Sequence, residues 1–344
     1  MSERKLRRED YTVGWICALP LEMAAATTML DEIHANLPIR PNDHNTYTLG
    51  RIGAHNIVVA CLPSGVYGTT SAATVASQML SSFESIRFGL MVGIGGGVPG
   101  KDADIRLGDV VVSKPDKNFG GVIQYDYGKT ITGGHFERTG KLDKPPQALL
   151  TAVAKLQAVH MVNDSRILTY LSEIKRRTKM SNFTHRGQQQ DQLFQAEYDH
   201  VGSGNTCNCC DPGKLVARSA RAMDEPVVHY GLIASGNQVM KHGGTRDRLA
   251  RELGIICFDM EAAGLMDDFP CLVIRGICDY ADSHKNKQWQ EYAAATAAAY
   301  AKEILSVIPA RQIAEMQTVN AGESVLWFLR YRICIWYLAV SKCE

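Results

Sequence analysis

Three acidic residues stand just beyond apolar runs in this chain of 344 residues: Glu22 shortly after TVGWIC, Glu261 within DMEAAG, and Asp279 directly after LVIRGIC. A carboxyl at the C-terminal end of a buried strand is half desolvated, which raises its pKa and lets it donate a proton near neutrality. Each also has a plainer reading. Asp279 could cap the segment after it, and Glu22 and Glu261 could simply favour a helix N-terminus. A glycine cluster, Gly93, Gly95, Gly96 and Gly97, closes another apolar run, FGLMVG. Ligands of open α/β sheets bind at such strand ends, where glycine lets backbone approach them closely, but a tight turn would use the same residues.

Two further patterns fail on context. Gly95 to Gly100 spell GxGxxG, yet Pro99 and the charged stretch KDADIRLGD stand where the dinucleotide fingerprint needs a helix. Cys207-x-x-Cys210, with Cys209 between and His200 nearby, has ligand-like spacing. A single CxxC without a second pair reads as surface thiols, so neither a metal nor a cofactor is expected.

The elements that must position these residues alternate short β-branched runs with helical patterns. Strands are predicted at 12–17, 56–62, 88–93, 109–113, 227–234, 255–258 and 272–278, and helices at 20–33, 69–83 and 289–308. Pro20 suits an early helical position, where its missing N–H costs nothing. Strands so uniformly apolar are buried on both faces, which implies a mixed or parallel sheet wrapped by helices. The expected fold is a three-layer α/β/α domain over about 11–308, behind a short tail at 1–10. An insertion at about 136–223, with helical patterns at 148–160 and 166–177, reads as a lid or accessory subdomain.

Bulk composition narrows the function. Hydrophobic residues make up 45% and charged residues 21%, an ordinary balance for a globular chain, and the net charge of +1 provides no field for nucleic acid or acidic membrane. The start, MSERKLRRED, lacks the apolar core of a signal peptide. Five of the ten cysteines, Cys17, Cys61, Cys257, Cys271 and Cys278, sit in apolar runs as reduced thiols would, so a cytoplasmic location is expected. The stretch 325–340 is apolar but interrupted by Arg330 and Arg332 and shorter than the roughly 20 residues of a spanning helix. It reads as a packing helix or a foreign tail behind a polar linker within 309–344.

The ordered series VGIGGGVP, LGDVVVS, IASGNQVM, FDMEAAG and RGICDYAD resembles the signature of nucleoside phosphorylases and adenosine-type nucleosidases over roughly 300 residues. Details such as GNQVMK and CDYADSHKNKQWQ are similar to the version at the N-terminus of fungal signalling proteins, ahead of nucleotide-binding or ankyrin-repeat modules. The chain ends before any such module, which reads as a stand-alone domain or a truncated relative. The resemblance implies that Asp279 is the general acid that protonates the departing purine. It implies that Glu261 binds the ribose hydroxyls while Met260 packs on the sugar. Gly95, Gly96, Val239 and Met240 then line the nucleoside site. The family's serine before the acid is replaced by Cys278, a weaker donor.

The same resemblance bears on the reaction type. Glu22 matches the glutamate with which nucleosidases activate water, where phosphorylases hold phosphate. The position of a phosphate-binding arginine is Met91, and that of a hydroxyl donor is Ile94. A phosphate dianion in a dry site needs cations or N–H donors, so hydrolysis is favoured over phosphorolysis. Lys114, Lys117, Lys241 and Arg246 suggest a 5′-phosphate or triphosphate, which admits ATP as substrate. The alternatives are a phosphate-dependent phosphorylase and a non-catalytic nucleoside-sensing module. The expected partner is a small purine nucleoside or nucleotide, with no nucleic acid and no membrane, and a homo-oligomer is implied by resemblance.

Overall fold

The computed structural model describes residues 4–100, 103–177, 181–202, 204 and 206–319. The apolar stretch 325–340 lies outside them. The chain enters through strand β1 (Val13–Cys17), helix α1 (Pro20–Met29) and the strands β2 (Glu32–Ile33), β3 (Tyr47–Ile52) and β4 (His55–Cys61). Helix α2 (Thr69–Ser82) follows, then β5 (Phe88–Gly97), β6 (Val110–Ser113), β7 (Val122–Gln124) and the small hairpin of β8 (Gly128–Thr130) and β9 (Phe136–Arg138). Helices α3 (Gln147–His160) and α4 (Ile167–Arg177) lead through a long irregular stretch to β10 (Val228–Ser235). The rest is α5 (Gly243–Leu253), β11 (Ile255–Asp259), β12 (Cys271–Asp279), α6 (Gln290–Ser306) and α7 (Ala310–Glu315).

A parallel centre, β4-β1-β5-β12, holds the sheet together, in the register Val13↔Phe88 and Leu272↔Leu90. Beyond β12 the order continues β6, β10, β11, with β6 antiparallel to β12 and parallel to β10. The last strand then returns to β5, pairing Phe258 with Gly96 and Cys257 with Gly97. Five strands thus close a ring while β4, β3 and β2 extend as an open edge.

Both faces are covered, as the uninterrupted apolar strands require. Val13, Trp15 and Cys17 of β1 point into one core with α1, α3, α4 and α6, whereas Ile16 joins the opposite core with α2. This is the two-residue period of a strand buried on each side. The mixed, largely buried sheet and its helical layers are those expected from the sequence.

Three local expectations change. Helix α1 stops at Met29 rather than near residue 33, because Leu30 turns to extended geometry and Glu32–Ile33 pair with β3. The glycine cluster is no turn: it continues β5 to Gly97, and only side-chain-free residues fit there between β12 and β11. Within the segment read as an accessory insertion, Leu149, Leu156, Ile167 and Ile174 of α3 and α4 pack into the same core as α6. Those two helices belong to the main helical layer. No helix among the described residues is long and apolar enough to cross a membrane.

Candidate active site

The C-terminal ends of β1, β5, β11 and β12 meet at an open cleft of about 1230 Å³. Strand pairing brings its parts together: Asp279 lies opposite Gly96 in the ladder, and Gly96 opposite Phe258. Met260, Glu261, Asp279, Glu22, Gly95, Gly96, Val239 and Met240 all line this cleft, so the expected acid, base and nucleoside residues converge.

Glu22 is buried at the first turn of α1, where its Oε2 accepts the Ala18 N–H at 2.7 Å and the Leu19 N–H at 2.9 Å. The plainer reading of a first-turn carboxylate therefore holds in part. Its other oxygen does more, accepting the Ile94 N–H of β5 at 2.8 Å. Burial raises the Glu22 pKa, against the opposing pull of Arg275 and these three donors. A raised carboxylate is a stronger base towards water.

Arg275, on β12 and fully buried, is the charge that the sequence reading missed. Its Nη2 bonds Asp259 and lies 3.8 Å from Glu261, and Nη1 faces Glu22 across Gly93. Three carboxylates thus surround one guanidinium, which hydrogen-bonds only Asp259 among them. Burial works to lower the Arg275 pKa, but Asp259, Glu261 and Glu22 together carry it above its ordinary value. Glu261 is pushed up to about 7, chiefly by burial, with Asp259 and Glu22 adding to the rise and Arg275 opposing it. Glu261 also accepts the backbone N–H of Gly68. It does not begin a helix, as expected, but precedes a single tight turn at Ala262–Gly264.

Asp279 is buried at the end of β12 with both oxygens engaged. Oδ1 accepts the Ala281 N–H at 2.9 Å, and Oδ2 accepts the Cys278 thiol at 3.1 Å. The cysteine in the serine position therefore still supplies a donor, through the weaker S–H group. Lys285 Nζ lies 3.0 Å from Oδ2. Burial works to lower the Lys285 pKa, but the Asp279 charge more than offsets it and raises it. Ala281, two residues on, sits at φ 52°, a left-handed conformation that non-glycine residues adopt only when surroundings impose it.

The cations assigned to a 5′-phosphate are elsewhere. Lys114 and Lys117 are exposed beyond β6, and β6 runs antiparallel to β12, so they leave the sheet far from Asp279. Arg246 is buried and holds the Tyr280 carbonyl at 2.9 Å and Asp247 at 2.6 Å, so it braces the Asp279 loop rather than facing the cleft. Lys241 is exposed beside Met240 and does not line it. The lining cations are Lys285 and Lys287. Met91 is buried in the core, while Ile94 lines the cleft and gives its N–H to Glu22. The expectation of surface thiols holds for Cys209 but not for Cys210, which is buried, or Cys207, which is half-buried.

The family model of the phosphorylase superfamily matches residues 12–308, and the chain belongs to that superfamily. A nucleotide-binding leucine-rich repeat (NLR)-like protein of Hyaloscypha variabilis is 50% identical over 88% of this chain, which spans 30% of that relative's length. The 5′-methylthioadenosine/S-adenosylhomocysteine nucleosidase of Mycobacterium tuberculosis is 24% identical, over 87% of this chain and 97% of its own. Among solved structures, the futalosine hydrolase of Helicobacter pylori shares the fold with a TM-score of 0.55 at 16% identity, covering 87% of this chain and 99% of the other. The Neisseria meningitidis nucleosidase bound to methylthio-immucillin-A does so with a TM-score of 0.55 at 17% identity, covering 86% and 98%.

Proposed function

We propose that this chain hydrolyses the N-glycosidic bond of an adenosine-type purine nucleoside or nucleotide and releases the free base. The observation that carries this is one cleft that holds Asp279, Glu261 and Glu22 together. A co-substrate phosphate at the Glu22 end would face a carboxylate, and Arg275 behind it does not line the cleft. A water molecule there would find a base.

In the proposed reaction the purine leaves as its bond to the anomeric carbon lengthens and the ribose gains oxocarbenium character. The pair of Asp279 and Lys285 supplies the proton the base needs to depart neutral. Glu261 accepts the vicinal hydroxyls, and Met260 packs on the sugar. Glu22 takes a proton from the water that attacks the opposite face, the division of labour of an inverting glycosidase. The names of the mycobacterial nucleosidase and the Helicobacter hydrolase fit this reaction class. With the four outlying cations excluded, a 5′-phosphate would meet Lys287, which has no ion pair among the described residues and keeps ATP a candidate beside uncharged 5′ groups. Homo-oligomerisation and a cytoplasmic setting complete the proposal.

The test is product analysis by chromatography with mass detection. Protein is given ATP, adenosine, inosine or methylthioadenosine, with and without phosphate, beside Glu22→Ala and Asp279→Asn. Free base without phosphate, lost in both variants, supports the hydrolase. Base only with phosphate would make the chain a phosphorylase, and no base from any substrate would favour a nucleoside-sensing module.

A further inference from the structure

Between Phe183 and Val228 the described chain forms only single helical turns, an unusual length of irregular backbone inside a packed domain. Few of its side chains are buried, so an apolar core of its own cannot hold it. Cys207 and Cys210 face the same space because the turn Cys207–Cys209 folds back, with the Cys210 N–H bonding the Cys207 carbonyl at 3.0 Å. His200 completes a group whose ligand atoms all lie within 4.8 Å of one another. The edges of a zinc tetrahedron with these donors are about 3.6 Å, so closure needs shifts of roughly an ångström.

His284 stands beside this group, outside its 4.8 Å limit, as the candidate fourth ligand. His284 is buried, lines the same cavity as Cys207 and Cys210, and its ring centre lies 5.7 Å from that of His200. Two imidazoles on one tetrahedral ion have centres roughly 5 Å apart. Neither ring nitrogen of His284 has a hydrogen-bond partner among the described residues. Buried imidazoles left without partners are rare and call for an explanation. Its Nδ1 points at Asp282, 3.6 Å away, and its ring is stacked 4.1 Å from Phe194. A carboxylate behind one nitrogen orients a histidine for a metal on the other. His200 is likewise set, its Nε2 bonding the Thr206 carbonyl at 3.0 Å.

We propose that Cys207, Cys210, His200 and His284 form a structural zinc site that staples the irregular segment to the loop after Asp279. Two thiolates and two imidazoles are soft enough to select zinc over magnesium or calcium, and four protein ligands leave no open position for catalysis. The tie is already sketched by the His200 N–H, which bonds Ser283 Oγ at 3.0 Å. The site is separate from the glycosidic cleft, so it stands or falls independently of the proposed reaction.

The experiment is metal analysis of the purified chain by inductively coupled plasma mass spectrometry, with cobalt substitution as a spectroscopic probe. The expected result is about one zinc per chain that survives gel filtration. Cobalt should give thiolate charge-transfer and tetrahedral d–d bands, and His284→Ala should weaken zinc at least 10-fold in a chelator competition. Cys207→Ser should lower zinc occupancy and Tm together, and if it does not fold, the cobalt spectrum of the parent chain still decides. Parent protein without zinc or cobalt binding, or with a Cys207–Cys210 disulfide by mass, would overturn the site. Full zinc affinity in His284→Ala would overturn the assignment of that ligand.

Discussion

Glu22 and Arg275 meet over a residue that has no side chain: a Cβ on Gly93 would lie 2.5 Å from Arg275 Nη1 and 2.5 Å from Glu22 Oε1. The arrangement brings the first helix and β12 towards each other across the middle of β5. It places the proposed base against the guanidinium that also serves Asp259 and Glu261.

Gly93→Ala should therefore be costly although alanine weakens a strand less than glycine does. Overpacking at a buried position costs about 1 to 3 kcal/mol, and here the displaced groups are charged. Urea unfolding should show a loss at or above that range, with catalytic turnover falling as Glu22 shifts. An unchanged midpoint would mean the two side chains can part freely.

Arg275→Met leaves three buried carboxylates without a counter-charge, a change worth about 3 to 5 kcal/mol when one partner of a buried pair is removed. The deficit should shrink at low pH, because protonation neutralises the orphaned acids. Comparing Tm at pH 5 and pH 8 checks this, and an equal loss at both would refute it.

Glu261 gives the ligand-free protein a pH dependence of definite sign. Its pKa moves from 4.5 to about 7 on folding, so the folded chain prefers it protonated. The stabilisation is complete below 4.5 and is lost as pH rises towards about 7, because the unfolded chain releases its proton first. Glu22, raised by burial too, adds in the same direction. Glu261→Gln should flatten the curve in that window by about 1 to 3 kcal/mol. A slope identical to that of the parent, measured by denaturant unfolding, would show that Glu261 is not the group responsible.

Lys285 and Asp279 should separate kinetically. Asp279→Asn removes the proposed proton donor and should cut kcat by about 10²- to 10⁴-fold, the usual scale of acid–base catalysis. Lys285→Met keeps the carboxyl and removes its ion pair, so its pH–rate profile should shift rather than collapse. Identical profiles for Lys285→Met and the parent would show that the lysine has no part in the proton step.

How much of this was readable beforehand differs by element. The central strands were plain because both their faces are buried and their runs are wholly apolar. Strand β5 was cut short at Gly93, since glycines signal a turn unless the neighbours that exclude side chains are known. Helix α5 went unseen because Gly243–Leu253 opens on two glycines and then carries charges in place of a continuous apolar stripe. The carboxylates of the cleft stood out by their place after apolar runs, but that place alone fitted helix caps equally well, and only the family resemblance singled them out as site residues. Arg275 was not, since a lone charge in such a run makes sense only when three acids from distant segments surround it. Lys285 sits in a polar loop that reads as solvated, and the turn that aims it at Asp279 depends on the left-handed Ala281.

The ring of five strands also governs motion. Strand β5 is bonded to both β12 and β11 over its last residues, so the floor beneath the cleft has no seam along which to separate. Breathing that admits a ligand would then fall to the rim, where Tyr67 and Val239 stand exposed on loops. The carboxylates of the proposed reaction thus sit on a closed frame, and a change in the width of the cleft would fall to those two loops.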